Sequence, residues 1–107
     1  MYLSDEDKQK IIEICRRNDV SYCAVFGSFA RGEATAESDV DLLVKFSKRI
    51  GLFGFVGVEQ ELEKGLGRKV DLATDKMIGG YIRESVMRDL KIIYDETRQP
   101  ATSSTYS

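Results

Sequence analysis

The stretch Val25 to Val44 reads Val-Phe-Gly-Ser-Phe-Ala-Arg-Gly-Glu-Ala-Thr-Ala-Glu-Ser-Asp-Val-Asp-Leu-Leu-Val, and it limits what the chain can fold into more than any other segment. It opens apolar and breaks at Gly27-Ser28. A short polar segment follows, and a second apolar run begins with Asp39 and Asp41. Side chains alternate along a strand, so Asp39 and Asp41 share one face, while Val40, Leu42 and Val44 take the other and enter a core. Two carboxylates side by side repel unless a proton or a cation lies between them. Oxygen donors of this kind suit a hard divalent metal, Mg²⁺ or Mn²⁺.

The corner between the two runs fits the same chemistry. Gly27 lets the backbone approach a ligand closely or take a positive φ. Ser28 is expected to cap a short helix through Phe29-Ala30-Arg31, ended by Gly32. A capped helix start offers free N–H groups and the positive end of a dipole, which suits a phosphate. A phosphate cradle beside a carboxylate pair is the chemistry of a nucleoside triphosphate.

Gly27-Ser28, ten intervening residues and then Asp39-Val40-Asp41 resembles the signature of the DNA polymerase beta-type nucleotidyltransferase superfamily. The fuller string, Gly-Ser-Phe-Ala-Arg-Gly-Glu through Ser-Asp-Val-Asp-Leu-Leu-Val, resembles the minimal nucleotidyltransferases, or MNT proteins, often the antitoxin half of HEPN–MNT toxin–antitoxin pairs. The resemblance runs from the first helix to about Tyr94. It implies ATP as substrate, two Mg²⁺ ions with Mn²⁺ as a substitute, and a helical HEPN protein as partner.

With 107 residues the chain suffices for one domain with a modest core. Net charge is -2, from 16 basic and 18 acidic residues, which argues against direct nucleic-acid binding through a strongly basic surface. There is no histidine, so His-based acid–base catalysis, Ser-His-Asp triads and His-ligated zinc are excluded. Cys15 and Cys23 lack metal-site spacing and read as small core residues with free thiols. No segment is long and apolar enough to span a membrane and no signal peptide is visible, so a cytoplasmic location is expected.

The rest of the chain supplies a scaffold. Ser4 to Asn18 reads as a helix capped by Ser4, with Asp7 at the capping-box position and Ile11, Ile12 and Cys15 as its apolar stripe. Ser21 to Phe26 and Val40 to Phe46 read as strands, and Phe55 to Leu66 as a helix whose Glu59, Glu61 and Glu63 are expected to face solvent. Arg68 to Thr74 reads as a strand with Val70 and Leu72 on one face and Asp71 on the other. In the family that Asp71 resembles by its Val-Asp-Leu context, a third acidic residue completes the metal site; the alternative is a plain surface residue on an edge strand. Asp75 to Asp89 reads as the last helix, with Ile78, Ile82, Val86 and Leu90 at a spacing of four. Lys91 to Tyr94 is a short final strand. Alternating helices and strands imply an α/β (α+β) layout over residues 1–96, which the resemblance makes a nucleotidyltransferase domain with a mixed sheet of about four strands covered by helices, followed by a flexible polar tail over 97–107.

The expected reaction is nucleotidyl transfer. Asp39, Asp41 and Asp71 hold the metals, and Gly27, Ser28 and Arg31 meet the triphosphate, with Arg83 and Arg88 as weaker phosphate candidates. Three readings remain open. The antitoxin resemblance implies AMP transfer to a tyrosine hydroxyl of a HEPN toxin. A second is transfer to a small molecule or RNA end with the acceptor site completed by another chain or a homo-oligomer. A third is a non-catalytic antitoxin acting by contact.

Overall fold

The computed structural model describes residues 1–98. Ser4 starts the chain's first helix as anticipated: its Oγ accepts from the Asp7 N–H at 3.0 Å, and helix α1 runs Asp5–Arg17. Asp5, Glu6 and Asp7 sit at the positive end of its dipole and Arg16 and Arg17 at the negative end. Its buried residues are Ile11, Ile14 and Cys15; Ile12 is half-buried, so the stripe is rotated slightly from the expected one.

Strand β1 (Val20–Phe26) leads into helix α2 (Ser28–Arg31), and strand β2 (Val40–Phe46) follows. Helix α3 (Leu52–Leu66) begins three residues before the expected Phe55, because Gly51 rather than Gly54 stands at its N-cap. Strand β3 is Val70–Thr74. The continuous helix expected from Asp75 is interrupted: Asp75–Met77 form one 3₁₀ turn, Ile78 is extended, and helix α4 occupies Gly80–Asp89. Gly79 takes the N-cap, as befits a Gly-Gly pair that weakens helix in its vicinity. Strand β4 is Lys91–Asp95. Of the expected tail, Thr97 and Arg98 belong to a further 3₁₀ turn, with the Thr97 N–H and Oγ1 both donating to Asp95 Oδ1; the remainder lies outside the described residues.

Among the described residues the strands form a four-stranded mixed sheet in the order β3-β2-β1-β4. β1 is antiparallel to both β2 and β4, and β2 is parallel to β3. One face packs on α1 and α3: Cys23, Val25, Val40, Leu42, Val44, Val70 and Leu72 join Ile11, Cys15, Val58 and Leu62 in the main core. Phe29 from α2 is 2 % exposed and belongs to the same cluster, which anchors the Gly-Ser corner in the core. The opposite face is thinner. Ala24 and Leu43, cross-strand neighbours, are buried there outside the main cluster, and α4 touches β1 with none of its own residues buried. Ile82, expected on the inner face of that helix, is 50 % exposed, and Tyr81 beside it is fully outward.

Glu59 and Glu63 are not simply solvated. Glu63 Oε2 accepts from the Val70 N–H at 3.1 Å and Glu59 Oε2 from the Leu72 N–H at 3.3 Å, so α3 seals the outer edge of β3. Glu61 instead pairs with Arg17 and accepts from Asn18, tying α3 to α1. Cys15 and Cys23 are free buried thiols, and the hydrogen bond with Cys15, reinforced by burial, pushes the Cys23 thiol well above its usual range. Cys23 is therefore not primed for nucleophilic chemistry. No helix among the described residues is long and apolar enough to cross a membrane.

Candidate active site

The site is built on the thin face, at the end of the sheet where β1 finishes and β2 and β3 begin. Asp41 is the second residue of β2 and Asp71 the second residue of β3, and the parallel ladder sets them directly opposite each other. Neighbouring strands lie ~4.8 Å apart, so the two carboxylates are neighbours by construction. Asp39 precedes β2 on the same side, with the Val40 N–H bonded to the Lys69 carbonyl at 3.0 Å to fix where the ladder starts. Asp71 thus stands beside Asp41 in the ladder, exposed on the edge strand of the sheet.

Asp41 is the half-buried member; Asp39 and Asp71 are exposed. Burial pushes the Asp41 carboxyl up to about 6, the Asp71 and Asp39 charges add to the rise, and Arg31 pulls it partly back. All four groups therefore share one electrostatic neighbourhood. Among the described residues no three acidic or cysteine side chains are drawn together tightly enough to grip an ion as they stand. The donor set nevertheless fits a divalent cation. It is three carboxylates with excess negative charge, one of them shifted toward the neutral form by burial and then by the charges of the other two, and hard oxygen donors are what Mg²⁺ and Mn²⁺ take.

Gly27 lies beneath Asp41. Its φ is 72°, which L side chains rarely adopt, and a Cβ there would overlap the Asp41 carboxylate. Gly27, not Ser28, is the N-cap of α2, and no side chain caps this helix; Ser28 is its first helical residue. The expected serine cap is thus corrected: the Gly27 carbonyl already accepts from Ala30 and Arg31, and the backbone needs a left-handed residue at the corner. Ser28 follows the glycine that lies against Asp41, and its hydroxyl does not cap the helix. Gly32, with φ of 78°, ends the turn as anticipated.

Arg31 projects from α2 and donates from Nε to Glu33 Oε1 at 3.0 Å and from a terminal guanidinium nitrogen to Asp89 Oδ2 at 3.0 Å. These bonds, Glu33 foremost, raise its pKa further. Its charge is also felt by Asp41, whose carboxyl it pulls partly back down. Arg83 is engaged elsewhere, with Asp75 Oδ1 at 2.9 Å and the Asp75 carbonyl, beyond the far end of β3. Arg88 is exposed on α4.

Three participants, Asp89, Thr35 and Arg68, were not singled out in the sequence, whereas Ser38 was read there as a local turn residue. Asp89 ties α4 to α2 through Arg31. Thr35 and Ser38 close the loop before Asp39, the Thr35 N–H donating to Ser38 Oγ at 2.9 Å and the Ser38 N–H to the Thr35 carbonyl at 3.1 Å. Arg68 lies against that loop. A Thr-x-x-Ser turn is a readable local signal, whereas the ties of Asp89 and Arg68 span more than 25 residues and leave no local trace in the sequence.

The model of the family described as Polymerase beta, Nucleotidyltransferase matches residues 9–99. The protein adenylyltransferase MntA of Thermococcus cleftensis is 40% identical over 78 residues, covering 73% of this chain and 79% of that protein. A solved toxin–antitoxin complex with AMP-PNP contains a chain that superposes with a TM-score of 0.71 at 23% identity, covering 82% of this chain and 73% of that one. The MNT antitoxin complex with a tri-AMPylated HEPN toxin of Shewanella oneidensis gives a TM-score of 0.64 at 21% identity, covering 83% and 70%. At those identities the two structures speak for the fold alone. The extent of the family match, the identity to MntA and the Gly27-Ser28…Asp39…Asp41 arrangement agree, and this chain belongs to the polymerase beta nucleotidyltransferase family, as an enzyme with a nucleotide substrate.

Proposed function

We propose that the protein is a Mg²⁺-dependent protein adenylyltransferase that moves AMP from ATP to a tyrosine hydroxyl of a HEPN partner and so silences it as an antitoxin. The observation that carries this is the register of Asp41 against Asp71 with Gly27 beneath Asp41. The T. cleftensis relative is named for protein adenylyl transfer, and the similarly folded antitoxins are seen with AMP-PNP or with an AMPylated HEPN toxin.

In this reading Asp39, Asp41 and Asp71 hold two Mg²⁺ ions, with Mn²⁺ as a substitute. When bound, the metals supply neutralisation of the triphosphate and a lowered pKa for the acceptor hydroxyl. Gly27 leaves room for the phosphates to come against the backbone, and Ser28 and the first amides of α2 donate to them. Arg31 exchanges a carboxylate partner for phosphate oxygen. The acceptor oxygen forms a bond to the α-phosphorus as the bond to the leaving pyrophosphate breaks. Asp71, the exposed acid on the outermost strand, takes the acceptor's proton, because an incoming partner surface reaches it before the half-buried Asp41. Residues 1–96 are the catalytic domain. An ATP-consuming reaction and two free thiols suit the reducing cytoplasm.

The test is to co-express the chain with a candidate HEPN protein and weigh that partner by mass spectrometry. Added AMP on a tyrosine, absent with Asp39→Ala and Asp41→Ala, is expected. Full neutralisation of the partner by those same variants, with no added mass, would instead make the protein a binding module.

A further inference from the structure

A single guanidinium, that of Arg68, sits where the three parts of the site meet. Arg68 precedes β3, the strand that carries Asp71. One of its terminal nitrogens lies 3.3–3.5 Å from the carbonyls of Thr35, Ala36 and Ser38, which make up the loop ending at Asp39. Its guanidinium carbon lies 5.0 Å from the centre of the Phe29 ring, the residue after Ser28. Phe29 is fixed in the core, so the stack gives the guanidinium a rigid floor. The loop has its own Thr35–Ser38 hydrogen bonds, but among the described residues the Arg68 bonds and the Val40–Lys69 backbone bond are what tie its end to β3.

Three carbonyls converging on one donor leave each with a partial negative charge and each bond long. A permanent cation, planar and stacked, satisfies that arrangement in a way that a flexible ammonium does not. We propose that Arg68 is a positioning residue for nucleotidyl transfer: it clamps the 35–38 loop so that Asp39 stands at a fixed place relative to Asp41, Asp71 and the Gly27-Ser28 corner. Arg68 touches neither nucleotide nor acceptor in this role. Its loss therefore acts on the transition state through the looseness of Asp39, lowering kcat more than it raises KM. The role rests on the transfer reaction proposed above.

The experiment compares wild type with Arg68→Met, which keeps an apolar stem over Phe29 and loses the donors, and with Arg68→Lys, which keeps charge and reach but not the planar fork. Amide hydrogen exchange is followed residue by residue in protein without nucleotide or metal. Exchange at residues 36–39 is expected to rise at least tenfold in Arg68→Met and by a smaller factor in Arg68→Lys, with β1 and α1 unchanged. In transfer assays kcat is expected to fall roughly tenfold in Arg68→Met with KM for ATP within twofold, and Arg68→Lys to recover part of it. Unchanged exchange at 36–39 in both variants would overturn the proposal. So would uniform acceleration across the whole chain, which would make Arg68 a general stability residue. Should wild type transfer nothing, the reaction assignment fails, while the exchange result still decides whether the clamp exists.

Discussion

Gly27 answers two demands at one position, and Asp41 answers to its neighbours. Because Gly27 has a positive φ and its missing Cβ leaves room for the Asp41 carboxylate, Gly27→Ala is expected to cost about 1–3 kcal/mol and to displace Asp41 as well. Thermal melts and ATP titration should both register it, the second more strongly. For Asp41 the sign of the pH effect is unusual for an aspartate. Its carboxyl is raised to about 6, so the folded protein binds that proton more tightly than the unfolded chain, whose aspartates titrate near ~3.9. The charge on Asp41 therefore opposes folding above about pH 6 and ceases to do so below about pH 4. Asp41→Asn is expected to be more stable than wild type at pH 7.5, by roughly 1 kcal/mol once solvent screening is allowed for, with the difference vanishing at pH 4. Its transfer activity should be lost. Urea melts at the two pH values, beside a transfer assay, check both halves. The outward placement of Asp41 and the positive φ of Gly27 were legible because strand alternation and glycine chemistry are local rules. The serine cap was misread for an equally local reason: the backbone at the corner needs a left-handed residue more than the helix needs a side-chain cap.

At the scale of elements, what the sequence hid was the partner of each polar side chain. Glu59 and Glu63 look like an ordinary solvated helix face, yet they accept from the edge of β3. Replacing both with alanine is expected to destabilise by about 2–3 kcal/mol, since two edge amides lose charged acceptors, and to promote association through the bared strand. Denaturant unfolding and light scattering would show the two effects. Helix α4 shows the converse. Its four-residue apolar spacing predicts burial, but the sheet beneath it takes up little of that face, and its start is broken by Gly79-Gly80. Tyr81→Ser and Ile82→Ser are accordingly expected to change the stability of the isolated protein by less than about 0.5 kcal/mol. Phe29→Ala, in the core beside the Gly-Ser corner, should cost about 3–5 kcal/mol.

For the molecule as a whole, the order of elements could be read from alternating periodicities and the mixed sheet from the family resemblance, while the pairing of particular strands could be read from neither. That pairing decides the site. Millimolar Mg²⁺ is expected to raise the melting temperature of wild type at pH 8 and to leave Asp41→Asn almost unmoved, because a ligand that binds only the folded state stabilises it in proportion to occupancy. The ladder that joins Asp41 to Asp71 also joins Val40 to Val70 and Leu42 to Leu72. A slip of one residue would turn Asp71 inward and carry Val70 and Leu72 out into water, so greasy side chains on the hidden side proofread the alignment of acids on the visible one. Evolution could then exchange loops, helix surfaces and partners freely without ever misaligning the two acids, so long as it left the oily underside of two strands alone.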